Sequence, residues 1–173
     1  MGDKKEKKVL VYNSEAPIEE QVVSLLKGLK KTITTAESIT GGMISAAITS
    51  VEGASECFKV GYVSYSNKAK RKLLSVKKEL LRKEGAVSSS VAKEMAIGAM
   101  MESEADLAVA VTGNAGPTAL EAKEIGLVYI AVCAGGKTKV EEYHFTGNRK
   151  EIREQCCNTA LVMVRNYLLE KMT

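Results

Sequence analysis

The sequence predicts an α/β protein, a three-layer α/β/α sandwich on a mixed, mainly parallel sheet. Three observations carry that reading. Runs of strand length over residues 32–36, 58–66 and 107–111 alternate with stretches whose apolar residues recur at helical spacing. The run Leu107-Ala108-Val109-Ala110-Val111 is apolar throughout, as suits a central strand covered on both faces. Residues 125–133 and 139–145 are separated only by a short Gly-Gly connection, so they read as a hairpin that adds an antiparallel strand.

Each element has its own signal. Lys4, Lys5, Lys7 and Lys8 make a charged start, and residues 9–12 read either as a short strand or as an ordered arm. Ile18, Val22, Val23, Leu25, Leu26 and Leu29 follow helical spacing, with Pro17 at a first-turn position and Ser14 or Glu15 near the cap. Strand 32–36 runs into Glu37-Ser38-Ile39-Thr40-Gly41-Gly42. A short helix over 43–51 follows, whose Ser45, Ala46 and Ala47 permit close packing on a sheet. Aromatic and β-branched residues mark strand 58–66, which delivers Tyr65-Ser66-Asn67-Lys68-Ala69-Lys70 at its end. Leu73-Leu74 and Leu80-Leu81 mark two helical pieces, and residues 85–90 make a connector and cap. Val91, Met95 and Ala99 at four-residue spacing predict a buried-face helix over 91–103, its methionines filling core. Beyond the loop 112–117 and the hairpin, Ile152, Cys156, Ala160, Met163, Val164 and Leu168 define a long C-terminal helix. A length of 173 residues asks for one domain, so the expected organisation is a charged, flexible tail over 1–8 and a single domain over 9–173.

Composition narrows the function classes. Hydrophobic residues at 45% and charged residues at 27% describe an ordinary globular chain rather than a disordered one. Aromatic residues at 5%, with no Trp, furnish little stacking surface, so nucleic acid is not the expected partner despite a net charge of +4. The basic cluster between Lys68 and Lys83 reads as a solvated helix face, Lys70 apart. The four cysteines, at 57, 133, 156 and 157, form no CxxC pair and fit neither a disulfide framework nor a zinc site. The first residues are charged with no apolar stretch after them, and no run approaches the roughly 18–20 residues of a membrane span, so the expected compartment is the cytoplasm. His144, the only histidine, leaves no material for a histidine triad and reads as structural.

The chemistry gathers where loops leave strands. Gly41 and Gly42 let the backbone approach a ligand closely, and the N–H groups of a first helical turn suit an anion or oxyanion, with Ser38 and Thr40 beside them. A serine nucleophile needs a base, and burial can lower a lysine toward neutrality, so Ser38 with Lys70 is one such pair and the Tyr65 phenol an assisting group. Spacing leaves a second reading open, in which Ser38 and Thr40 cap a helix and Lys70 is solvated. Thr112, Gly113, Gly116 and Pro117 form a second candidate loop. Thr146-Gly147-Asn148-Arg149 forms a third, whose guanidinium suits phosphate or carboxylate.

Taken together, AESITGG (36–42), GYVSYSNKAKRKLLSV (61–76), GAVSSSVAKEMAIGA (85–99), DLAVAVTGNAGP (106–117), GLVYIAV (126–132) and FTGNR (145–149) resemble the C-terminal domain of the CinA competence/damage-inducible proteins. The resemblance runs from about Ile18 onward. It implies the three-layer fold, a bacterial cytoplasmic location and a homo-oligomer. It also implies an activity in pyridine-nucleotide salvage: hydrolysis of nicotinamide mononucleotide to nicotinate mononucleotide and ammonia, with no metal or other cofactor. Carried onto matching positions, it implies Ser38 as nucleophile, Lys70 as general base and Tyr65 as an assisting group. Thr40, Gly41, Gly42, Thr112, Gly113, Gly116 and Arg149 are then substrate contacts, Thr40 doubling as a reserve nucleophile and the amides near Gly41 and Gly42 meeting the oxyanion.

The sequence departs from the family pattern in one loop. Asn114 stands where Ile is usual, and residues 118–125 are shorter and poorer in glycine than the family's loop. This departure motivates an alternative, a catalytically weak or inactive nucleotide-binding or interaction module of the same fold.

Overall fold

The computed structural model describes residues 12–172. The charged start and residues 9–11 lie outside them. The elements are α1 (Ile18–Leu29), β1 (Ile33–Glu37), α2 (Met43–Thr49), a 3₁₀ turn (Ala54–Glu56), β2 (Phe58–Val63), α3 (Asn67–Leu74), α4 (Lys78–Glu84), α5 (Ser89–Ser103), β3 (Leu107–Gly113), β4 (Leu127–Ala134), β5 (Lys137–His144) and α6 (Arg149–Glu170). Every predicted helix and strand between 18 and 170 is present. β2 stops at Val63 rather than at 66, because Ser66 is spent as the N-cap of α3 and accepts the Ala69 amide at 3.0 Å.

The five strands lie in the order β2-β1-β3-β4-β5. β1 pairs in parallel with both β2 and β3, while β4 pairs antiparallel with β3 and β5. The sheet is therefore mixed, and its parallel half carries the strand ends that matter.

The alternation of side chains along β3 and β4 builds two unlike faces. Leu107, Val109, Val111, Val128, Ile130 and Val132 face one layer, where Val22, Leu25 and Leu26 of α1, Ile44 and Ile48 of α2, and Ile152, Leu161 and Val164 of α6 complete a core. Ala108, Ala110, Ala131 and Cys133 face the other, covered by Val91, Ala92, Met95, Ala96 and Ala99 of α5 and by Leu74 and Leu81. Small residues on both sides let α5 lie close: a Cβ at Gly98 would sit 2.0 Å from the Leu74 carbonyl oxygen. That contact anchors the end of α3, and with it Lys70.

Register then sets the geometry of the parallel half. β1 and β3 run in step from Ile33↔Leu107 to Glu37↔Val111, so their carboxyl ends emerge together. Just beyond the ladder, the Ser38 amide donates to the Val111 carbonyl at 3.1 Å and the Ser64 amide to the Glu37 carbonyl at 2.8 Å. Three loops thus leave the sheet at one place.

Candidate active site

The loop that carries Ser38 is organised by a residue that sequence reasoning passed over. Glu37, the last residue of β1, is fully buried, and its carboxylate is surrounded by donors. Oε2 accepts the Thr40 hydroxyl at 2.6 Å, the Gly42 amide at 3.1 Å and the Ile44 amide at 3.0 Å; Oε1 accepts the Ser45 amide at 2.8 Å and its hydroxyl at 2.7 Å. A carboxylate thereby caps α2 from the preceding strand and faces the positive end of its dipole. The turn itself needs glycine, since Gly41 and Gly42 sit at φ +58° and +105°. From α6, Arg153 closes the other side, Nε donating to the Ile39 carbonyl at 3.0 Å and Nη2 to that of Thr40 at 2.9 Å.

This arrangement revises the expected roles of three residues. The Thr40 hydroxyl is buried on Glu37 and does not face the cavity, so Thr40 is no reserve nucleophile. The Gly41 amide is engaged with the Ser38 carbonyl at 3.1 Å and the Gly42 amide with Glu37, so neither is free to meet an oxyanion. The helix start anticipated as an anion site already holds an anion, the protein's own. Glu37 lay within the AESITGG motif, and a carboxylate just ahead of a helix start was the signal for it.

Ser38 and Lys70, by contrast, are brought together. Lys70 Nζ lies 2.8 Å from Ser38 Oγ and donates to the Ser64 carbonyl at 2.8 Å. Lys70 is 1% exposed, on the first turn of α3, and faces inward while the other basic residues of the cluster face out. Lys68, Arg71, Lys72, Lys78 and Arg82 line a separate open groove of about 760 Å³ on that outer side. Burial pushes the Lys70 amine down to about 8, partly opposed by the negative charge of Glu121. Ser64 is buried beside this pair, and its hydroxyl has no hydrogen-bond partner among the described residues.

A cavity of about 240 Å³ opens over the pair. Ser38, Ile39, Tyr65, Asn67 and Lys70 line one part of it; Ala86, Val87, Thr112, Gly113, Ala115, Leu120, Glu121 and Arg149 line the rest. Tyr65 is 61% exposed and directs its phenol oxygen to Arg149, accepting from Nη2 at 2.9 Å, rather than to Ser38 or Lys70. Arg149 also donates through Nη1 to the Gly116 carbonyl at 2.7 Å, which is how Gly116 joins the site without lining the cavity. The Thr112 hydroxyl donates to the Ala86 carbonyl at 2.7 Å and holds the connector before α5. Gly113 is needed for packing: a Cβ there would lie 2.7 Å from Val128 Cγ2 and 3.0 Å from Ile39 Cδ1. Of the residues picked from sequence, Ser38, Lys70, Tyr65, Thr112, Gly113 and Arg149 meet at one cavity; Thr40, Gly41 and Gly42 support it from behind. Arg153 and Glu121 were missed, the former one helical turn beyond Arg149 and the latter within the departing loop. His144 is remote from this, exposed on β5 between Glu142 (2.8 Å) and Glu124 (3.3 Å).

Fold and site together define a three-layer α/β protein whose buried serine and lysine meet where parallel strands end. The chain belongs to the CinA C-terminal domain family, which it matches over residues 15–168. It is 48% identical over 148 residues to a CinA-like protein of Endomicrobium trichonymphae, covering 85% of this chain and 35% of that one. A CinA-like protein of Kosmotoga olearia is 45% identical over 156 residues, covering 90% and 38%. The chain thus spans little more than a third of the length of these relatives. Among solved structures, the competence/damage inducible protein CihA from Agrobacterium tumefaciens superposes with a TM-score of 0.84 at 40% identity, covering 87% of this chain and 93% of that one. A CinA superfamily protein from Klebsiella pneumoniae gives 0.86 at 30% identity, covering 90% and 99%. Among the described residues no helix is long and apolar enough to cross a membrane.

Proposed function

We propose that this protein is an amidohydrolase of the Ser-Lys type that converts nicotinamide mononucleotide to nicotinate mononucleotide and ammonia. The observation that carries the reading is the buried pair itself: Lys70 Nζ sits 2.8 Å from Ser38 Oγ with its amine lowered to about 8. A buried lysine is costly to keep charged, and a neutral amine in contact with a hydroxyl is a base placed on a nucleophile. The Ser64 carbonyl accepts a hydrogen bond from the amine and holds it against Ser38, where loss of a proton from Nζ leaves a lone pair for the Ser38 hydroxyl.

The steps follow from that geometry. Ser38 Oγ attacks the carboxamide carbon as its proton passes to Lys70. The amide N–H of Ile39, next after the nucleophile and on the cavity wall, makes no hydrogen bond among the described residues and is the donor open to the oxyanion. Lys70 then gives its proton to the departing nitrogen, ammonia leaves, and an acyl ester remains on Ser38. Water, deprotonated by Lys70, attacks that ester and releases the carboxylate, restoring Ser38. Arg149, with Tyr65 beside it, is the cation available to the substrate's phosphate.

Ammonia release from nicotinamide mononucleotide by the purified protein tests this, with Ser38→Ala and Lys70→Ala alongside. The expected result is turnover in the wild type and a loss of at least about 10³-fold in each variant. A folded wild type that is stabilised by the nucleotide yet releases no ammonia overturns the amidase and favours the binding module, for which the altered 118–125 loop on the cavity wall is the motive.

A further inference from the structure

The cavity holds an anion that this chemistry does not use. Among the described residues Glu121 is the only acidic one on its wall, where Arg149 is the standing cation and Lys70 an amine lowered to about 8. Its carboxylate rests on the connector before α5, Oε1 accepting the Ala86 amide at 2.8 Å and Oε2 the Val87 amide at 3.2 Å. The cation paired with it among the described residues is Lys123, whose Nζ stands 3.7 Å from Oε2 and donates instead to the carbonyls of Glu84, at 2.5 Å, and Val87. The charge of Glu121 is therefore only partly offset, and it is felt at Lys70.

Holding it there strains the loop. Glu121 and Ala122 both adopt left-handed backbone, at φ +56° and +55°, a region that a Cβ disfavours. Glycine would make the same turn freely, yet residues 118–125 contain none. What a side chain at 121 adds, beyond its hold on the Ala86 and Val87 amides, is a negative charge on the cavity wall, and strain kept at a site is a pointer to use.

We propose that Glu121 is a specificity determinant that makes the cavity prefer a carboxamide borne on a cationic ring, such as pyridinium, over the same amide on a neutral ring. This rests on the amidase reading and names what that site selects. A permanent ring cation loses hydration on entering a partly closed cavity and needs a counter-ion there, which a neutral ring does not. Glu121 supplies it, while Arg149 serves the anionic end of the same molecule.

The test compares kcat/KM for nicotinamide mononucleotide with that for its reduced form, which keeps phosphate, ribose and carboxamide but has a neutral dihydropyridine ring. Wild type, Glu121→Gln and Lys123→Gln are measured, and the difference in intrinsic amide reactivity cancels when their preferences are compared. Glu121→Gln is expected to lower the preference for the cationic ring by about tenfold, and Lys123→Gln, which removes the offsetting charge, to raise it severalfold. A Glu121→Gln protein that hydrolyses both nucleotides with the wild-type preference overturns the proposal. If Glu121→Gln does not fold, an unchanged preference in Lys123→Gln overturns it equally. If the wild type hydrolyses neither nucleotide, the amidase reading fails, and ring selectivity is decided by binding of 1-methylnicotinamide cation against neutral nicotinamide. At least tenfold tighter binding of the cation, abolished by Glu121→Gln, upholds the inference; equal binding, or none, overturns it.

Discussion

Two of the loops that border the cavity over Ser38 and Lys70 are built on opposite plans. The loop after β1, residues 38–42, is fixed from every side: Glu37 gathers five donors beneath it and Arg153 takes two of its carbonyls. Its left-handed positions are glycines. The loop after β3 is tied at its ends by Asn114, whose carbonyl accepts the Gly126 amide at 2.7 Å and whose Nδ2 donates to the carbonyls of Lys123 at 3.1 Å and Glu124 at 3.3 Å, and in its middle by the side chains of Glu121 and Lys123 on the connector before α5. Besides Gly116 and Gly126, its left-handed positions include two residues with side chains, Glu121 and Ala122, and it leaves Leu120 55% and Ile125 45% exposed. The difference teaches where precision is needed. On the proposed reading, a nucleophile must be held to within tenths of an ångström of its base, whereas a wall that reads substrate can be held through a few side chains.

Breaking the first loop should have the largest effect on the fold. Glu37→Ala strands buried amide donors of the α2 start along with the Thr40 and Ser45 hydroxyls, each worth about 1–3 kcal/mol when left unpaired. We expect a loss of roughly 3 kcal/mol or more, a fall of about 6–12 °C in Tm for a domain of this size, read by calorimetry. A shift under about 2 °C would show that the cap is dispensable and that the rigidity ascribed to this loop has another source.

Lys70 stands between the two loops, touching Ser38 on one side and feeling Glu121 on the other. Its amine is lowered from 10.5 unfolded to about 8 folded, so the folded state sheds its proton first as pH rises. Below pH 8 both states hold the proton and the burial penalty is fully present; between 8 and 10.5 the unfolded state binds more protons, and stability gains with pH. The stability of the wild type relative to Lys70→Met should therefore rise by about 3 kcal/mol between pH 7.5 and 10.5, measured by urea unfolding at several pH values. A pH-independent difference would mean that Lys70 titrates as an ordinary solvated lysine. In the same way, ammonia release should climb through an acid limb near pH 8.

How far the sequence revealed this follows the same division. Strand order along the chain, the hairpin and all six helices were legible because hydrophobic period and caps are local signals. Ser38 and Lys70 were legible as a pair only through their motifs, since a 32-residue separation says nothing about distance until the register of β1 and β2 is known. What stayed hidden was the allocation of donors. Gly41 and Gly42 looked like an open anion site because sequence cannot show that Glu37 folds back upon it. Tyr65 looked like a partner of Lys70 because nothing local says that Arg149, from the far end of the chain, takes its phenol. Glu121 was hidden by the glycine-poor character of its loop, which read as a loss of function rather than as room for a carboxylate.

The smallest effect separates the two loops most cleanly, because it tests the backbone alone. At Gly42, φ +105° is a conformation that an alanine enters only with strain, so Gly42→Ala should destabilise by about 1 kcal/mol or more despite stiffening the unfolded chain. At Ala122, φ +55° already carries that strain, so Ala122→Gly relieves about 1–2 kcal/mol in the folded state and gives back about 0.4–1 kcal/mol through a more flexible unfolded chain. The net is a gain of roughly 0.5 kcal/mol, read as a rise in the urea midpoint at constant slope. The paired result, a loss at one loop and a slight gain at the other, is what a relaxed turn and a strained one require. A loss of 1 kcal/mol at both positions would mean that Ala122 is as well fitted to its turn as Gly42, and the strain that points to Glu121 would have to be given up.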